Sequence, residues 1–263
     1  MEHTEGEIVC ERVGDVLTIS INRPLHRNAL TISAAKLLHA ELSRVKNDAT
    51  LKILVLRGRG NDFCCGADIK VTASDDLADS EPLFPDPEPY DVTQLLYNFP
   101  AVTVAAIRGG CAGAAIGWAC ACDIRIACDS ARFNTAFLDV GMAGDMAGSW
   151  FLTRLIGATR ARELYFLPRK FDAAEASAMG LLTRVVADAE FEIALNDVIK
   201  RLEASAPLAL RAIKANFIDG ERLDLEAFIP RETSRHMSLY TTADRSEAFQ
   251  AFLQKRRPRF VGR

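Results

Sequence analysis

Two stretches of small residues offer this chain its clearest chance of chemistry. Phe63-Cys64-Cys65-Gly66-Ala67-Asp68-Ile69 and Gly109-Gly110-Cys111-Ala112-Gly113-Ala114-Ala115-Ile116-Gly117 each follow an apolar run of strand length. Small side chains let a ligand approach the backbone. A helix beginning at the end of each loop would aim free N–H groups, and the positive end of the helix dipole, at whatever sits there. An oxyanion is the natural guest. Either loop alone serves equally well as a tight packing point between helix and sheet, but two of them together point to a ligand.

Other chemistries lack their residues. Seven cysteines (Cys10, Cys64, Cys65, Cys111, Cys120, Cys122 and Cys128) include no CxxC pair, and most sit in apolar runs, so they read as small buried residues. Four histidines (His3, His26, His39 and His236) have no spacing that sets two on one helix face, so no metal site is expected. Neither a G-x-S-x-G elbow nor a G-x-x-x-x-G-K-[ST] loop occurs. A net charge of −3 over 263 residues provides no basic field for nucleic acid or anionic lipid. No uncharged stretch reaches the roughly 20 residues of a membrane span. The N-terminal MEHTEGEIVCERVGD lacks the layout of a signal peptide, so a cytoplasmic protein with reduced cysteines is expected.

The elements that must position the two loops are legible as patterns. Residues 7–21 alternate as two strands around Val13-Gly14-Asp15, a hairpin. Thr31 caps a helix whose apolar residues Ile32, Ala35, Leu38, Leu42 and Val45 recur at helical spacing up to Asn47-Asp48. Residues 51–57, 101–107 and 124–127 are apolar runs of strand length with helical segments between them, which predicts an α/β fold with mostly parallel pairing. Residues 71–90, acidic and carrying Pro82, Pro85, Pro87 and Pro89, read as a long loop, of the kind that forms a lid beside a site. From Asp172 onward the pattern is helical, with Gly180 and Gly220 as stops.

Several motifs in consistent order carry a resemblance. N-R-P-x-x-x-N-A-L (Asn22 to Leu30), F-C-C-G-A-D-I (Phe63 to Ile69), A-C-D-I-R-I-A (Ala121 to Ala127) and A-A-E-A-x-x-x-G-L (Ala173 to Leu181) resemble the enoyl-CoA hydratase/isomerase, or crotonase, superfamily over the chain from about Glu7 onward. The resemblance implies a spiral core of ββα turns over residues 1–200 that binds an acyl-CoA thioester. It also implies a C-terminal helical region, residues 201–263, that assembles trimers or dimers of trimers. The coenzyme A is part of the substrate, and no further cofactor is implied. In that family two backbone N–H groups hold the thioester oxygen, and on this sequence they fall to Ala67 and Ala114. Losing one such donor in comparable sites costs about 2.7–4 kcal/mol.

The departures carry as much information. Family hydratases hold and split one water between two glutamates, whose positions read Gly117 and Phe137 here. Neither transfers a proton, and no glutamate lies between Arg108 and Arg162. Asp145, in Val140-Gly141-Met142-Ala143-Gly144-Asp145-Met146-Ala147-Gly148, is similar in placement to the aspartate of isomerases in this superfamily. One carboxylate can take a proton from one carbon and return it two carbons along while an oxyanion hole carries the charge. Phe137, Met142, Met146 and Trp118 are candidates for an apolar pocket that raises its pKa. The alternative for Asp145 is an N-cap of the helix that follows, and Asp139 reads as structural.

For the rest of the ligand the resemblance implies contacts from Arg27, Cys65, Gly66, Asp68, Ile69, Lys70, Gly113, Gly117 and Phe137. Phe252 and Lys255 are expected to reach a neighbouring subunit's site. The sequence therefore predicts an enoyl-CoA isomerase; a non-catalytic acyl-CoA binder and a hydratase-like enzyme are the alternatives.

Overall fold

A computed structural model describes residues 6–69 and 88–263. The predicted hairpin is β1 (Ile8–Val13) and β2 (Val16–Ile21), paired antiparallel. Thr31 Oγ1 accepts the Ala34 N–H at 2.9 Å and so caps α1 (Ile32–Val45), which buries Ala34, Ala35, Leu38, Leu42 and Val45 on one face. The apolar runs become β3 (Ile53–Gly58), β4 (Val102–Ile107) and β6 (Ile124–Cys128), joined in parallel. They extend the hairpin into a six-stranded sheet of order β1-β2-β3-β4-β6-β9.

Both faces of that sheet are covered, so its strands read as continuous apolar runs instead of alternating ones. Leu54, Leu56, Ala105 and Ile107 enter the main core with α1. Ile53, Val55, Val104 and Ala106 face the other way, onto Phe191 and Leu195 of a later helix. The tail of the proline-rich stretch is not loop, because Glu88–Tyr97 forms α2. The lid expected over the remainder lies outside the described residues.

A second, three-stranded sheet is made of β5 (Gly110–Ala112), β7 (Arg132–Asn134) and β8 (Phe171–Asp172). Two long strands thus feed a short one and then a helix: β4 and β5 lead to α3 (Ala114–Ala121), while β6 and β7 precede α4 (Gly148–Ile156) and α5 (Ala158–Phe166). These are the ββα turns of the expected spiral. The sequence from Asp172 is less purely helical than expected, since β9 (Arg184–Val186) joins the large sheet beside β6 after α6 (Ala173–Ala178). The predicted helices then follow as α7 (Phe191–Glu203), α8 (Pro207–Gly220), α9 (Leu225–Ser238) and α10 (Ala243–Leu253). A buried ammonium docks α8: Lys214 Nζ lies 2.7 Å from Asp123 and donates to the Ala101 carbonyl at 2.9 Å. Among the described residues, no helix is long and apolar enough to cross a membrane.

Candidate active site

Backbone pairing brings the two small-residue loops side by side. Cys64 and Cys111 form a parallel bridge: the Cys64 N–H donates to Gly110 at 2.9 Å, and the Ala112 N–H donates to Cys64 at 3.0 Å. Ala67 and Ala114 stand three residues beyond that bridge, each on its own loop. The peptides flanking Ala67 are taken by Leu30, whose N–H donates to Gly66 at 2.8 Å and whose carbonyl accepts from Asp68 at 2.9 Å. Backbone groups alternate in direction along an extended chain, so the Ala67 N–H points away from Leu30. Ala114 opens α3, where a first-turn N–H has no intrahelical acceptor. Among the described residues neither N–H has a backbone acceptor. Two such donors can hold one anionic oxygen.

Glycine makes the close approach possible. Gly66 (φ 89°) and Gly113 (φ 55°) both occupy left-handed backbone, and a Cβ on Gly66 would lie 3.1 Å from the Ala112 carbonyl oxygen. Side chains below the loops fix their height. Fully buried Asn28 donates to the Asp62 carbonyl at 2.6 Å and to the Arg59 carbonyl at 2.9 Å, and it accepts from the Arg23 N–H at 2.8 Å. Arg23 bridges Glu7 and Asp68, at 2.9 Å each. Asp68 is therefore buried in an ion pair instead of facing the open side of its loop. Arg23 and Asn28 belong to the N-R-P motif, but their role as supports appears only in three dimensions.

The carboxylate of Asp145 sits in a desolvated place. It does not cap α4: the cap position is Ala147, which has no side-chain acceptor to offer, and both Met146 (φ 47°) and Ala147 (φ 54°) are left-handed. Two consecutive non-glycine residues in that region store strain of the kind that accompanies functional sites. Asp145 Oδ1 is buried and has no hydrogen-bond partner among the described residues. Burial pushes its pKa up from 3.8 to about 6. Its charge is felt by the phenols of Tyr90 and Tyr165, both pushed upward first by their own desolvation.

The walls around Asp145 differ from the pocket expected of the sequence. Phe137 is present: its Cζ comes within 3.8 Å of where a Gly113 Cβ would be, and its ring stacks on Tyr165. Met146 is buried, but Met142 is 63 % exposed and walls nothing in, and Trp118 is wholly buried within the core. Tyr165 gives no periodic or motif signal in the sequence. Gly117 is packed against the Asp145 segment itself, since a Cβ there would lie 2.2 Å from the Met146 carbonyl oxygen.

The remaining candidates are scattered. Arg27 is 67 % exposed, and its guanidinium is held by Asp62 at 2.9 Å. Asp62 also accepts the Gly110 N–H at 2.7 Å, so this arginine stands at the junction of the two loops. Cys65 is half-buried beside Asp62, with its thiol pushed up by burial, and Ile69 is exposed. Lys70 lies outside the described residues. Phe252, 83 % exposed, and Lys255 stand on the surface at the end of α10.

Comparison with known proteins decides the family, because residues 11–263 match Enoyl-CoA hydratase/isomerase. The chain belongs to the enoyl-CoA hydratase/isomerase family. A probable enoyl-CoA hydratase of Rhodobacter capsulatus is 35% identical over 245 residues, which cover 93% of this chain and 94% of that one. The 1,2-epoxyphenylacetyl-CoA isomerase of Escherichia coli is 30% identical over 254 residues, 94% of this chain and 95% of that one. Among solved structures, an enoyl-CoA hydratase from Bacillus anthracis superposes with a TM-score of 0.90 at 28% identity, covering 98% of this chain and 100% of that one. The enoyl-CoA hydratase/isomerase family comprises enzymes acting on acyl-CoA thioesters, and its named members include both hydratases and isomerases.

Proposed function

We propose that this member of the family is an enoyl-CoA isomerase that moves a double bond through an enolate. The Ala67 and Ala114 N–H groups hold the thioester oxygen, and Asp145 carries the proton between carbons. The observation that supports this most directly is the buried, unpaired Asp145 oxygen with its carboxyl raised to about 6. A base tuned toward neutrality can both remove and return a proton. As the carboxylate takes a proton from the substrate carbon, the C–H electron pair moves into the enolate. The negative charge settles on the thioester oxygen between the two N–H groups, and reprotonation two carbons along restores the carboxylate.

Hydration requires a group to activate water and another to donate its proton. By the resemblance of the motifs, the positions of the hydratase glutamates fall on Gly117 and Phe137, neither of which carries an acid. At Gly117 the Met146 backbone also occupies the space a side chain would need. Arg27, beside the loops, and Lys70 take the nucleotide of coenzyme A, and no cofactor beyond that carried by the substrate is required.

The assembly is a trimer or a dimer of trimers built through the C-terminal helices. In support, α9 buries no residue of its own, while Phe217, Leu225, Ile229, Met237, Phe249, Phe252 and Leu253 are exposed along α8 to α10. Exposed apolar side chains concentrated on neighbouring helices support an interaction face there. Phe252 and Lys255 then reach the coenzyme A bound by a neighbouring copy.

The test incubates wild type and Asp145→Asn with a 3-enoyl-CoA and, separately, a 2-enoyl-CoA in deuterated water, with products read by mass spectrometry. Conversion of the 3-enoyl substrate by wild type alone, without gain of water on either substrate, is the expected result. Hydration of the 2-enoyl substrate, or binding without conversion or label, refutes it.

A further inference from the structure

Tyr165 stands on α5 beside Asp145 and takes no part in the proton transfer described above. Its ring lies 6.2 Å from that of Phe137, with 8° between the planes. Phe137 in turn borders Gly113, the residue before the Ala114 donor. The stacked pair thus runs from the Gly113 loop to the Asp145 segment, where Tyr165 lies against Gly144 and Gly148. Two glycines make room for its far edge. A Cβ on Gly144 would meet Tyr165 Cε1 at 3.1 Å, and one on Gly148 would meet the hydroxyl oxygen at 2.4 Å. Any side chain at 148 would displace the phenol. The residue is only partly exposed, and its hydroxyl makes no hydrogen bond to another described residue. Burial and then the charges of Cys120 and Asp145 push this phenol upward, so it keeps its proton and is available as a donor.

We propose that Tyr165 is a specificity residue whose hydroxyl donates a hydrogen bond to a neutral oxygen (hydroxyl, ether or carbonyl) on the substrate's acyl chain, beyond the carbons that Asp145 serves. The inference rests on the acyl-CoA reading of the site and narrows its substrate class. Asp145 selects a neutral oxygen over a charged one: its buried Oδ1 has no hydrogen-bond partner among the described residues, and desolvation raises its carboxyl. A substrate carboxylate brought to the phenol would face a second carboxylate across a poorly solvated gap. A plain alkyl chain would cover the phenol and leave its donor unpaired, and this kind of mismatch is what polar pockets use to reject an analogue.

Saturated acyl-CoAs bind without reacting and so separate this assignment from the proposed chemistry. Calorimetric titration of wild type and Tyr165→Phe would compare hexanoyl-CoA with its 4-, 5- and 6-hydroxy derivatives and with adipyl-CoA. In wild type the best hydroxy isomer is expected to bind about tenfold more tightly than hexanoyl-CoA, the worth of one such hydrogen bond. In Tyr165→Phe, which keeps the ring stack, that ratio falls to about one. Adipyl-CoA binds less tightly to wild type than the best hydroxy isomer. Binding of hexanoyl-CoA to wild type without a hydroxyl preference, or a preference that survives in Tyr165→Phe, overturns the assignment of Tyr165 alone. A failure of every acyl-CoA to bind overturns the acyl-CoA reading and this inference together.

Discussion

Replacing Asp145 by asparagine should make the protein more stable while abolishing its turnover, and the gain should grow with pH in a calculable way. The folded carboxyl titrates at about 6 against an ordinary 3.8. Below pH 3.8 it is neutral in both states and contributes nothing. Between 3.8 and about 6 the unfolded chain ionises while the folded protein keeps its proton, so stability falls as pH rises. Above about 6 both states are ionised, and the full cost of holding a desolvated charge is present. Linkage puts that cost at about 1.6 kcal/mol at pH 5 and about 3 kcal/mol at pH 8. Asparagine removes it, although its own buried oxygen also lacks a donor, so the absolute gain is smaller than the full figure. The growth of about 1.4 kcal/mol between the two pH values belongs to ionisation alone. For a chain of this size it corresponds to a midpoint advantage widening by about 2–3 °C. Thermal melts of both proteins at pH 5 and pH 8 measure it. An Asp145→Asn protein whose advantage is absent, or stays constant across that interval, would show that this carboxylate is solvated and that the argument for its tuning is wrong.

Other outcomes follow from the same geometry. The kcat/KM profile for a 3-enoyl-CoA should rise with pH through a limb near 6, as the base loses its proton in the free enzyme; a flat profile from pH 5 to 8 contradicts the role given to Asp145. Gly117→Ala should destabilise the fold by about 1–3 kcal/mol and displace the Asp145 segment, because its methyl would meet the Met146 carbonyl oxygen at 2.2 Å. Gly117→Glu should therefore gain no hydratase activity, which a 2-enoyl-CoA absorbance assay would show. Arg23→Gln removes the ion pair that Arg23 makes with the buried Asp68 and should cost about 1–3 kcal/mol in denaturant unfolding. Adding Asp68→Asn should recover part of that loss.

Local signals in the sequence determined a great deal. The hairpin, the Thr31 cap, the apolar face of α1 and the three central strands each depend on a pattern that repeats within one element, so neighbouring residues specify them. The two glycine-rich loops were legible for the same reason, since only small residues tolerate their backbone. Three-residue strands such as β5 and β7 carry too few positions to show a period, and β9 was hidden between helices for that reason. The state of Asp145 was not local at all. As a sequence feature it suited a helix cap as well as a base. The structure rules out the cap: a left-handed turn at Met146–Ala147 withholds Asp145 from the helix, and its Oδ1 is buried. Likewise Tyr165 lies beside the Asp145 segment only because α5 packs its ring onto Phe137, and the loops of Ala67 and Ala114 run side by side only because Cys64 pairs with Cys111 across 47 positions of sequence. Patterning within an element fixes which residues are buried and which backbone is permitted. Desolvation and the meeting of distant loops depend on contacts between elements, and no stretch of sequence records them by itself.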